Sequence, residues 1–527
     1  MYRISYEIRF EKSAPITGTA ETAGGEWRFA PELPQDKIVS ARAEIPLITA
    51  EDERIFINGY QTWTFCPEYT RRDKLPGVGR FPKFVVDRYG MDRYGDYHFV
   101  GYPRRAGLLH GESWCYFRRG EDFRLIASLS ERAGYTLFTY DAPQNLLTVQ
   151  RDCAGIECGG EYPVFELFFA EGGENAVFDA WFAAMGVKAR TQVKLAGYTS
   201  WYNRYQNINE DSISDDLAGC AEVMRAGDLF QIDDGWETAV GDWLEADEKK
   251  FPLGMKMLAD GIHRRDFLAG LWLAPFVCQK GSALMREHPE WLYMHEGKPW
   301  YCGSNWGGFY ALDIDNPEFT AYIERVFDRV LNEWGFDLVK LDFLYAAAPY
   351  GDARETRAGR MTRAMELLRR LCGDKLILGC GVPVMPAFGL VDYCRIGCDV
   401  GLDWNGSPLV RAANREAVST RRAVLNSIFR RQLNGRAYLS DPDVFFLRDD
   451  NIRLTEEEKY TLATVNSLFG GVLLCSDNMG RYTPEARELY ERLLKNRDAR
   501  NIRVMNDAGG LSVAYDLDGT DEILNVE

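Results

Sequence analysis

The chain has 527 residues, with 62 Lys and Arg against 79 Asp and Glu, which gives a formal net charge of −17 at pH 7. A surface this acidic repels phosphate backbones and anionic lipids, which argues against nucleic acid or membrane as a partner. Hydrophobic residues account for 46% of the chain, and a chain of this length buries a large core, so wholesale disorder is excluded.

The N-terminal sequence and the cysteines predict a cytoplasmic protein. Residues 1–14 alternate polar and apolar side chains and lack the continuous apolar core of a signal peptide. The 12 cysteines are scattered without a Cys-x-x-Cys motif, a pattern typical of reduced thiols. With only five histidines, this spacing argues against a zinc site, and we expect no metal and no other cofactor.

Residues 1–174 have the pattern of an N-terminal β-sandwich. Residues 3–10 alternate in polarity, and two further strand patterns, at 135–140 and 146–150, flank a turn at 142–145. Long helical periodicity is scarce in this part, which favours packed sheets. Residues 175–192 then predict a helical linker.

From residue 193 to residue 498, short apolar runs alternate with amphipathic helices, which indicates one (β/α)8 TIM barrel. The runs lie at 195–198, 229–232, 268–274, 336–343, 376–380, 393–397, 437–439 and 471–475. The Trp- and Tyr-rich connection after the third run is expected to cover the active face. Residues 499–527 predict a short C-terminal β segment, so the predicted fold class is α/β, a barrel between a sandwich and this segment.

Carboxylates follow five of the eight runs. They are Asp233 and Asp234 after the second, Asp342 at the end of the fourth, Asp399 after the sixth, Asp441 and Asp443 after the seventh, and Asp477 after the eighth. Catalytic residues of TIM barrels lie at this end of the strands. Each acid alone has a structural explanation as a helix cap, a turn residue or an ion-pair partner. Their convergence on one rim instead predicts an active site.

Spacing adds detail at two of these strands. Side chains alternate along a strand, so Lys340 and Asp342 point to the same side. We expect Lys340 to lower the pKa of Asp342 and keep it ionised, as a nucleophile requires. Asp399 is the candidate acid, although Arg395 four residues earlier opposes a raised pKa. The 13 Trp, 27 Tyr and 29 Phe of the chain suit a neutral ligand that stacks on flat rings, such as a sugar.

Six motifs occur in an order that resembles the melibiase family, the α-galactosidases of glycoside hydrolase family 36. They are Gly197-Tyr198-Thr199-Ser200-Trp201-Tyr202, Asp233-Asp234-Gly235-Trp236, Gly270-Leu271-Trp272-Leu273-Ala274-Pro275, His288-Pro289-Glu290-Trp291, Leu312-Asp313-Ile314-Asp315-Asn316-Pro317 and Lys340-Leu341-Asp342-Phe343. Upstream, Asn58-Gly59-Tyr60-Gln61-Thr62-Trp63 is similar to the family's N-terminal loop. Each motif is weak alone, but together they are specific.

The resemblance implies roles for ten residues. Asp342 would be the nucleophile and Asp399 the general acid and base. Substrate-binding roles would fall to Asp233, Asp234, Lys340, Arg395, Trp201, Trp272, Trp63 and Cys380. The chain departs from the family after the fifth run, where Cys380 precedes Gly381-Val382-Pro383 instead of a Gly-Gly-Arg-like loop, which leaves tolerance of substituents at C2 or C6 of the sugar open.

The predicted function is that of a retaining exo-α-galactosidase acting on a small carbohydrate, and the resemblance also implies a homo-oligomer. Alternatives of similar fold are an α-N-acetylgalactosaminidase and a transglycosylase like the raffinose synthases. A metal-dependent lyase would also use clustered carboxylates. A sugar-binding pseudoenzyme would keep the tryptophans without turnover.

Overall fold

The computed structural model describes residues 1–526, and its N-terminal part is a sandwich of two antiparallel sheets. In chain order, its strands are β1 (Tyr2–Phe10), β2 (Ile16–Thr22), β3 (Gly25–Phe29), β4 (Glu32–Pro46), β5 (Arg54–Ile57), β6 (Leu108–Glu112), β7 (Trp114–Arg119), β8 (Asp122–Ser128), β9 (Thr136–Asp141), β10 (Leu146–Arg151), β11 (Glu157–Glu161) and β12 (Phe165–Gly173). One sheet runs β2-β1-β4-β10-β9-β6, with β11 on β4, and the other runs β3-β12-β8-β7-β5. Alternate side chains of β1, such as Ile4 and Ile8, are fully buried between the sheets.

Residues 58–107 leave the sandwich between β5 and β6 and reach the barrel. Arg430 of the barrel is fully buried and fixes the start of this insertion. Its guanidinium donates to the carbonyl oxygen of Thr62 at 2.6 Å, to that of Ile396 at 2.9 Å and to Asn58 Oδ1 at 3.0 Å. One arginine therefore ties the sandwich insertion to the sixth barrel strand.

The parallel barrel occupies the middle of the chain, as predicted. Its strands are β13 (Leu195–Thr199), β14 (Leu229–Ile232), β15 (Leu268–Leu273), β21 (Leu338–Leu341), β22 (Leu376–Gly379), β23 (Tyr393–Arg395), β24 (Leu439–Asp441), β25 (Val444–Phe445) and β26 (Val472–Cys475). The third connection holds β16 (Val277–Gln279), β17 (Met294–His295), β18 (Lys298–Pro299), β19 (Tyr301–Gly303) and β20 (Phe309–Ala311). The sheet order is β24-β23-β22-β21-β15-β14-β13-β26-β25. Both β24 and β25 belong to the seventh strand position, and β25 pairs with β26, which closes the barrel.

Helices lie between most of the barrel strands. The α-helices of the chain are α1 (Lys83–Tyr89), α2 (Glu174–Met185), α3 (Trp201–Arg204), α4 (Glu210–Cys220), α5 (Gly254–His263), α6 (Ala283–Glu287), α7 (Pro317–Asp328), α8 (Arg357–Cys372), α9 (Pro408–Arg411), α10 (Thr420–Phe429), α11 (Glu456–Phe469) and α12 (Pro484–Asn496). Both α7 and α12 begin with a cap residue followed by proline, Asn316-Pro317 and Thr483-Pro484. Asn316 Oδ1 accepts the Glu318 N–H at 2.9 Å, and Thr483 Oγ1 accepts the Ala486 N–H at 3.3 Å.

The connection between β22 and β23 differs from the others. All of its residues are described, and it contains a 3₁₀ turn at Met385–Ala387 where a barrel helix would be expected. Pro383 and Pro386 lack the N–H that a helix needs. The linker helix α2 supplies apolar cover here, since the rings of Trp181 and Phe182 lie 6.1 and 5.4 Å from the ring of Phe388.

The C-terminal part is a three-stranded antiparallel sheet of β27 (Arg500–Asp507), β28 (Gly510–Leu517) and β29 (Thr520–Asn525). The predicted fold class, a TIM barrel with a sandwich and a short β region, is therefore confirmed. Within residues 1–526, no helix has both the length and the apolar character needed to cross a bilayer.

Candidate active site

A cavity of about 460 Å³ opens at the carboxyl ends of the barrel strands. Nine of the ten predicted site residues line it, namely Trp63, Trp201, Asp233, Asp234, Trp272, Lys340, Asp342, Arg395 and Asp399. A cavity of this size falls within the range of small-molecule sites. Residues that are up to 336 positions apart in the sequence thus share one concave surface.

Asp342 is held at the base of the cavity, directly after β21. Its Oδ1 accepts the N–H of Phe343 at 2.8 Å, and its Oδ2 accepts the indole N–H of Trp272 at 3.2 Å. Phe343 has a φ of +53°, an uncommon value for a residue with a side chain. This left-handed turn ends the strand and aims the Phe343 N–H back at the carboxylate. Both oxygens of Asp342 are therefore oriented before any ligand enters.

Lys340 lowers the pKa of Asp342, as predicted, but burial of the carboxyl group raises this pKa more, so it does not fall below its ordinary value. Lys340 Nζ forms its ion pair with Asp233 Oδ2, at 2.8 Å. Burial of the Asp342 carboxyl raises its pKa, and the positive charge of Lys340 offsets only part of that rise. The negative charge of Asp399 adds to the increase. Strand alternation places Lys340 on the correct face but does not reveal that a neighbouring strand offers it a closer carboxylate.

Arg395 organises three carboxylates at the other side of the cavity. Its guanidinium contacts Asp399 Oδ1 at 2.8 Å, Asp443 Oδ1 at 2.9 Å and Asp441 Oδ2 at 3.2 Å. Asp441 and Asp443 are buried, whereas the side chain of Asp399 is 41% exposed. Burial raises the pKa of Asp443 to about 6, against the opposing charge of Arg395. Asp399 therefore faces the cavity, and the other two acids hold Arg395 from behind.

Asp233 and Asp234 follow β14 and have different surroundings. Asp233 Oδ2 accepts the amide of Gln231 at 2.7 Å in addition to Lys340 Nζ. Asp234 Oδ2 accepts N–H groups from Gln206 at 3.0 Å and from the indole of Trp306 at 2.9 Å. The first carboxylate is thus paired with a cation, whereas the second is held by neutral donors.

Trp63 and Cys380 are in contact at the edge of the cavity, where Trp63 lines the cavity and Cys380 lies behind it. The indole N–H of Trp63 donates to Cys380 Sγ at 3.3 Å. Cys380 is 1% exposed and lies behind Trp63, so it is the one predicted binding residue outside the cavity lining. A Cβ at Gly381, whose φ is +55°, would lie 2.8 Å from the Trp63 ring, so the site has no space for a larger residue there.

Several lining residues were not predicted individually. Tyr94 comes from the sandwich insertion, Asn305 and Trp306 come from the third barrel connection, and residues 410–418 come from the connection after the sixth strand. The Tyr94 hydroxyl donates to Asn305 Oδ1 at 3.0 Å and so joins the first two of these segments. Their only sequence signal was the aromatic content of the third connection, which was expected to cover the active face and does contribute Trp306.

Residues 1–526 contain no group of three or more His, Cys, Asp and Glu side chains arranged to hold a metal ion. What the cavity presents is a pair of carboxylates, Asp342 and Asp399, close enough for the charge of one to affect the other. Buried cations and tryptophan faces surround this pair. Such a set can bind a neutral polyol and supply both a nucleophile and an acid.

Comparison with known proteins gives a family match and partial alignments to curated relatives. Residues 188–366 match the melibiase family model. An α-galactosidase of Escherichia coli is 30% identical over 181 residues, which are 32% of this chain and 25% of that protein. A blood-group-A α-D-galactosamine galactosaminidase of Flavonifractor plautii is 34% identical over 144 residues, which are 25% of this chain and 13% of that protein. The aligned segments span a quarter or less of these relatives.

Solved structures match the chain over nearly its whole length. An α-galactosidase of Thermus thermophilus, in complex with p-nitrophenyl α-D-galactopyranoside, superimposes with a TM-score of 0.75 and 28% identity. That match covers 99% of this chain and 96% of the other. The family 36 α-galactosidase AgaA of Geobacillus stearothermophilus gives a TM-score of 0.61 at 13% identity, over 97% of this chain and 78% of the other, and supports the fold alone.

Proposed function

We propose that the chain is a retaining exo-α-galactosidase of the melibiase family, glycoside hydrolase family 36, which the matched family model and the similar α-galactosidases support. It would release terminal α-linked galactose from oligosaccharides or glycans. The observation that carries the proposal is the pair Asp342 and Asp399 in one cavity, surrounded by cations and tryptophans. The Escherichia coli and Thermus thermophilus relatives are both named α-galactosidases, which supports galactose as the sugar.

In the proposed first step, Asp342 attacks the anomeric carbon while Asp399 protonates the departing oxygen. The hydrogen bonds from Phe343 and Trp272 fix the attacking carboxylate in place, which lowers the entropic cost of the reaction. Asp399 is well suited to meet the leaving group because its side chain is partly exposed while one oxygen stays on Arg395. The product of this step is a covalent glycosyl-enzyme.

In the second step, Asp399 acts as a base on water, which displaces the sugar from Asp342 with net retention of configuration. The buried Lys340 and Arg395 bind hydroxyls near the reacting carbon, and Asp233 and Asp234 accept hydrogen bonds from hydroxyls at C4 and C6. Tryptophan faces pack against the apolar C–H face of the galactoside.

A second candidate is hydrolysis of a 2-amino sugar, which the name of the Flavonifractor plautii relative favours. The names of the Escherichia coli and Thermus thermophilus relatives favour galactose instead, and we therefore rank galactose above N-acetylgalactosamine. Transglycosylation of the raffinose-synthase type uses the same covalent intermediate and differs only in the acceptor.

The 12 cysteines of the described chain are unpaired and buried, which supports the predicted cytoplasmic location, where thiols stay reduced.

A panel of nitrophenyl glycosides tests the proposal. It should contain the α- and β-galactosides, the α-glucoside, the α-galactosaminide and its N-acetyl form, each assayed with and without EDTA. We expect turnover of the α-galactoside above all others, unaffected by EDTA. Proton NMR of the first-formed sugar should show the α-anomer, and added raffinose or sucrose should reveal any transfer product. Galactose binding without turnover of any α-glycoside would instead identify a pseudoenzyme.

A further inference from the structure

Glu237 is a buried carboxyl group that none of the proposed catalytic steps uses. It lies three residues after Asp234, in the loop that follows β14, and is 6% exposed. Its Oε2 accepts the N–H of Gly235 at 3.2 Å, which fixes the side chain beside the Asp-Asp-Gly turn. An unpaired buried carboxylate is costly, so a residue of this kind needs a partner.

The partner of Glu237 is the carboxyl group of Asp234, with which it is in hydrogen-bond contact. Asp234 Oδ1 is shielded from solvent and receives no N–H from the described residues, whereas Oδ2 receives the N–H groups of Gln206 and Trp306. Two carboxyl groups can form a hydrogen bond only if one of them carries a proton. The contact therefore defines a carboxylic acid–carboxylate pair beside the cavity.

The cations near this pair are engaged elsewhere. Lys340 Nζ lies on Asp233 Oδ2 at 2.8 Å, and Lys250 Nζ donates to the carbonyl oxygens of Gly235 and Gln206 at 2.9 and 3.1 Å. Asp233 is the further negative charge that faces Asp234. With the ammonium groups placed in this way, a proton is what holds the two carboxyl groups together.

We propose that Glu237 is a positioning residue, whose proton is shared with Asp234 so that the carboxylate of Asp234, which lines the cavity, stays an oriented acceptor for a sugar hydroxyl. This inference rests on the proposed function for the identity of the sugar, but the proton itself does not depend on it. Burial and the neighbouring Asp234 raise the pKa of Glu237 well above its ordinary value, and burial also raises that of Asp234. Asp234 accepts two N–H groups on Oδ2 and Glu237 accepts one on Oε2, so hydrogen bonding favours the negative charge on Asp234 and the proton on Glu237.

The sign of the pH dependence follows from this arrangement. As the pH rises through the raised pKa, the proton leaves and two like charges face each other in a buried site. The Asp234 carboxylate is then pushed from its position, so galactose affinity should fall on the alkaline side. Replacing Glu237 by Gln supplies an N–H donor that does not titrate, and this variant should bind galactose equally well across that range.

Two measurements test the proposal, one on the proton and one on the sugar. Infrared difference spectra of wild type minus Glu237→Gln at pH 7 should show the carbonyl band of a protonated carboxylic acid. Other buried acids cancel in the difference. The same comparison for Glu245→Gln, an exposed position in the same loop, should show no such band. A wild-type minus Glu237→Gln difference spectrum without the band would overturn the shared proton.

Galactose binding by titration calorimetry then tests the positioning role. We expect the wild-type Kd to rise with pH, the Kd of Glu237→Gln to stay flat, and that of Glu237→Ala to be on the order of tenfold weaker at neutral pH. A parallel pH dependence in wild type and Glu237→Gln would refute positioning by the proton. If no variant binds galactose, the proposed function fails, and the infrared result still decides whether the proton exists.

Discussion

The base and the rim of the cavity are built from different parts of the chain. We call Asp233, Lys340, Asp342 and Arg395 the floor, and they come from the ends of barrel strands. The wall consists of Trp63, Tyr94, Asn305, Trp306 and residues 410–418, which come from insertions. Floor side chains are buried and engaged in ion pairs or hydrogen bonds, whereas Tyr94, Asn305 and Trp306 are more exposed. The barrel therefore supplies the reactive groups, and the insertions shape the space in front of them.

The largest expected effect is at the floor. Asp342→Asn keeps the size of the side chain but removes the proposed nucleophile, so kcat/KM for the nitrophenyl α-galactoside should fall by about 10⁴-fold. Asp374→Asn is a matched control, because Asp374 is exposed just before β22, at the opposite end of the barrel. Activity of Asp342→Asn within tenfold of wild type would exclude Asp342 as the nucleophile.

Asp399 lies between floor and wall, and its replacement should have a smaller effect that depends on the leaving group. Loss of a general acid costs about 10²–10⁴-fold when the departing oxygen needs a proton. Asp399→Asn should therefore lose most of its activity on raffinose but much less on the nitrophenyl galactoside, whose phenolate leaves without help. An equal loss on both substrates would contradict the assigned role. Added azide should restore turnover by attacking the stalled intermediate.

Replacing Arg430 tests whether the wall depends on the hydrogen bonds by which this arginine connects the sandwich insertion to the barrel. Arg430→Met leaves the carbonyl oxygens of Thr62 and Ile396 and the side chain of Asn58 without their donor. At about 1 kcal/mol or more for each lost partner, the free energy of unfolding should fall by about 3–5 kcal/mol. Urea unfolding measures this loss. Arg264 is exposed, so the free energy of unfolding of Arg264→Met should stay within about 0.5 kcal/mol of wild type. An equal change in both variants would show that the Arg430 hydrogen bonds do not stabilise the contact between the sandwich insertion and the barrel.

Much of the floor could be predicted from the sequence, because strand ends are readable and barrel chemistry lies at one end. Apolar runs gave the strands, and the acids that follow them gave Asp233, Asp342 and Asp399. What could not be predicted is the pairing across strands. Lys340 is two residues from Asp342, but its ion pair is with Asp233, 107 positions away. Alternation fixes the side of the strand and not the partner.

The wall was harder to predict, since its geometry depends on contacts between distant insertions. Trp63 was identified through the family resemblance, and the hydrogen bond from Tyr94 to Asn305 joins residues 211 positions apart. Trp306 reaches the cavity from a backbone position with a φ of +53°. Local sequence does not favour this conformation for tryptophan, so surrounding contacts must stabilise it.

A smaller effect is expected when the wall loses one hydrogen bond to the site. Trp306→Phe keeps an aromatic face but removes the N–H that donates to Asp234 Oδ2 at 2.9 Å. We expect about a tenfold lower kcat/KM, mostly through a higher KM, because a hydrogen bond to a charged group contributes about 1.5 kcal/mol or more. Trp27→Phe in the sandwich is the control and should leave both constants unchanged. A lower kcat with an unchanged KM would place Trp306 in the chemical step instead.

The smallest effect concerns the acidic side of the pH profile and uses the wild-type protein. In the proposed mechanism only ionised Asp342 can attack, and burial raises the pKa of Asp342 above the ordinary 3.8. The acid limb of kcat/KM should therefore have its midpoint above pH 3.8, and below that midpoint kcat/KM should fall about tenfold for each pH unit.

The free energy of unfolding should depend on pH in the opposite direction. The fold tolerates the protonated Asp342 better than the ionised one, so its contribution is complete below pH 3.8 and is lost as the pH rises through the raised pKa. A floor residue of this kind lowers stability where it is active, and Asp342→Asn should accordingly unfold at higher urea than wild type at neutral pH. A lower urea midpoint for Asp342→Asn would show that the hydrogen bonds from Phe343 and Trp272 outweigh the cost of burying the charge.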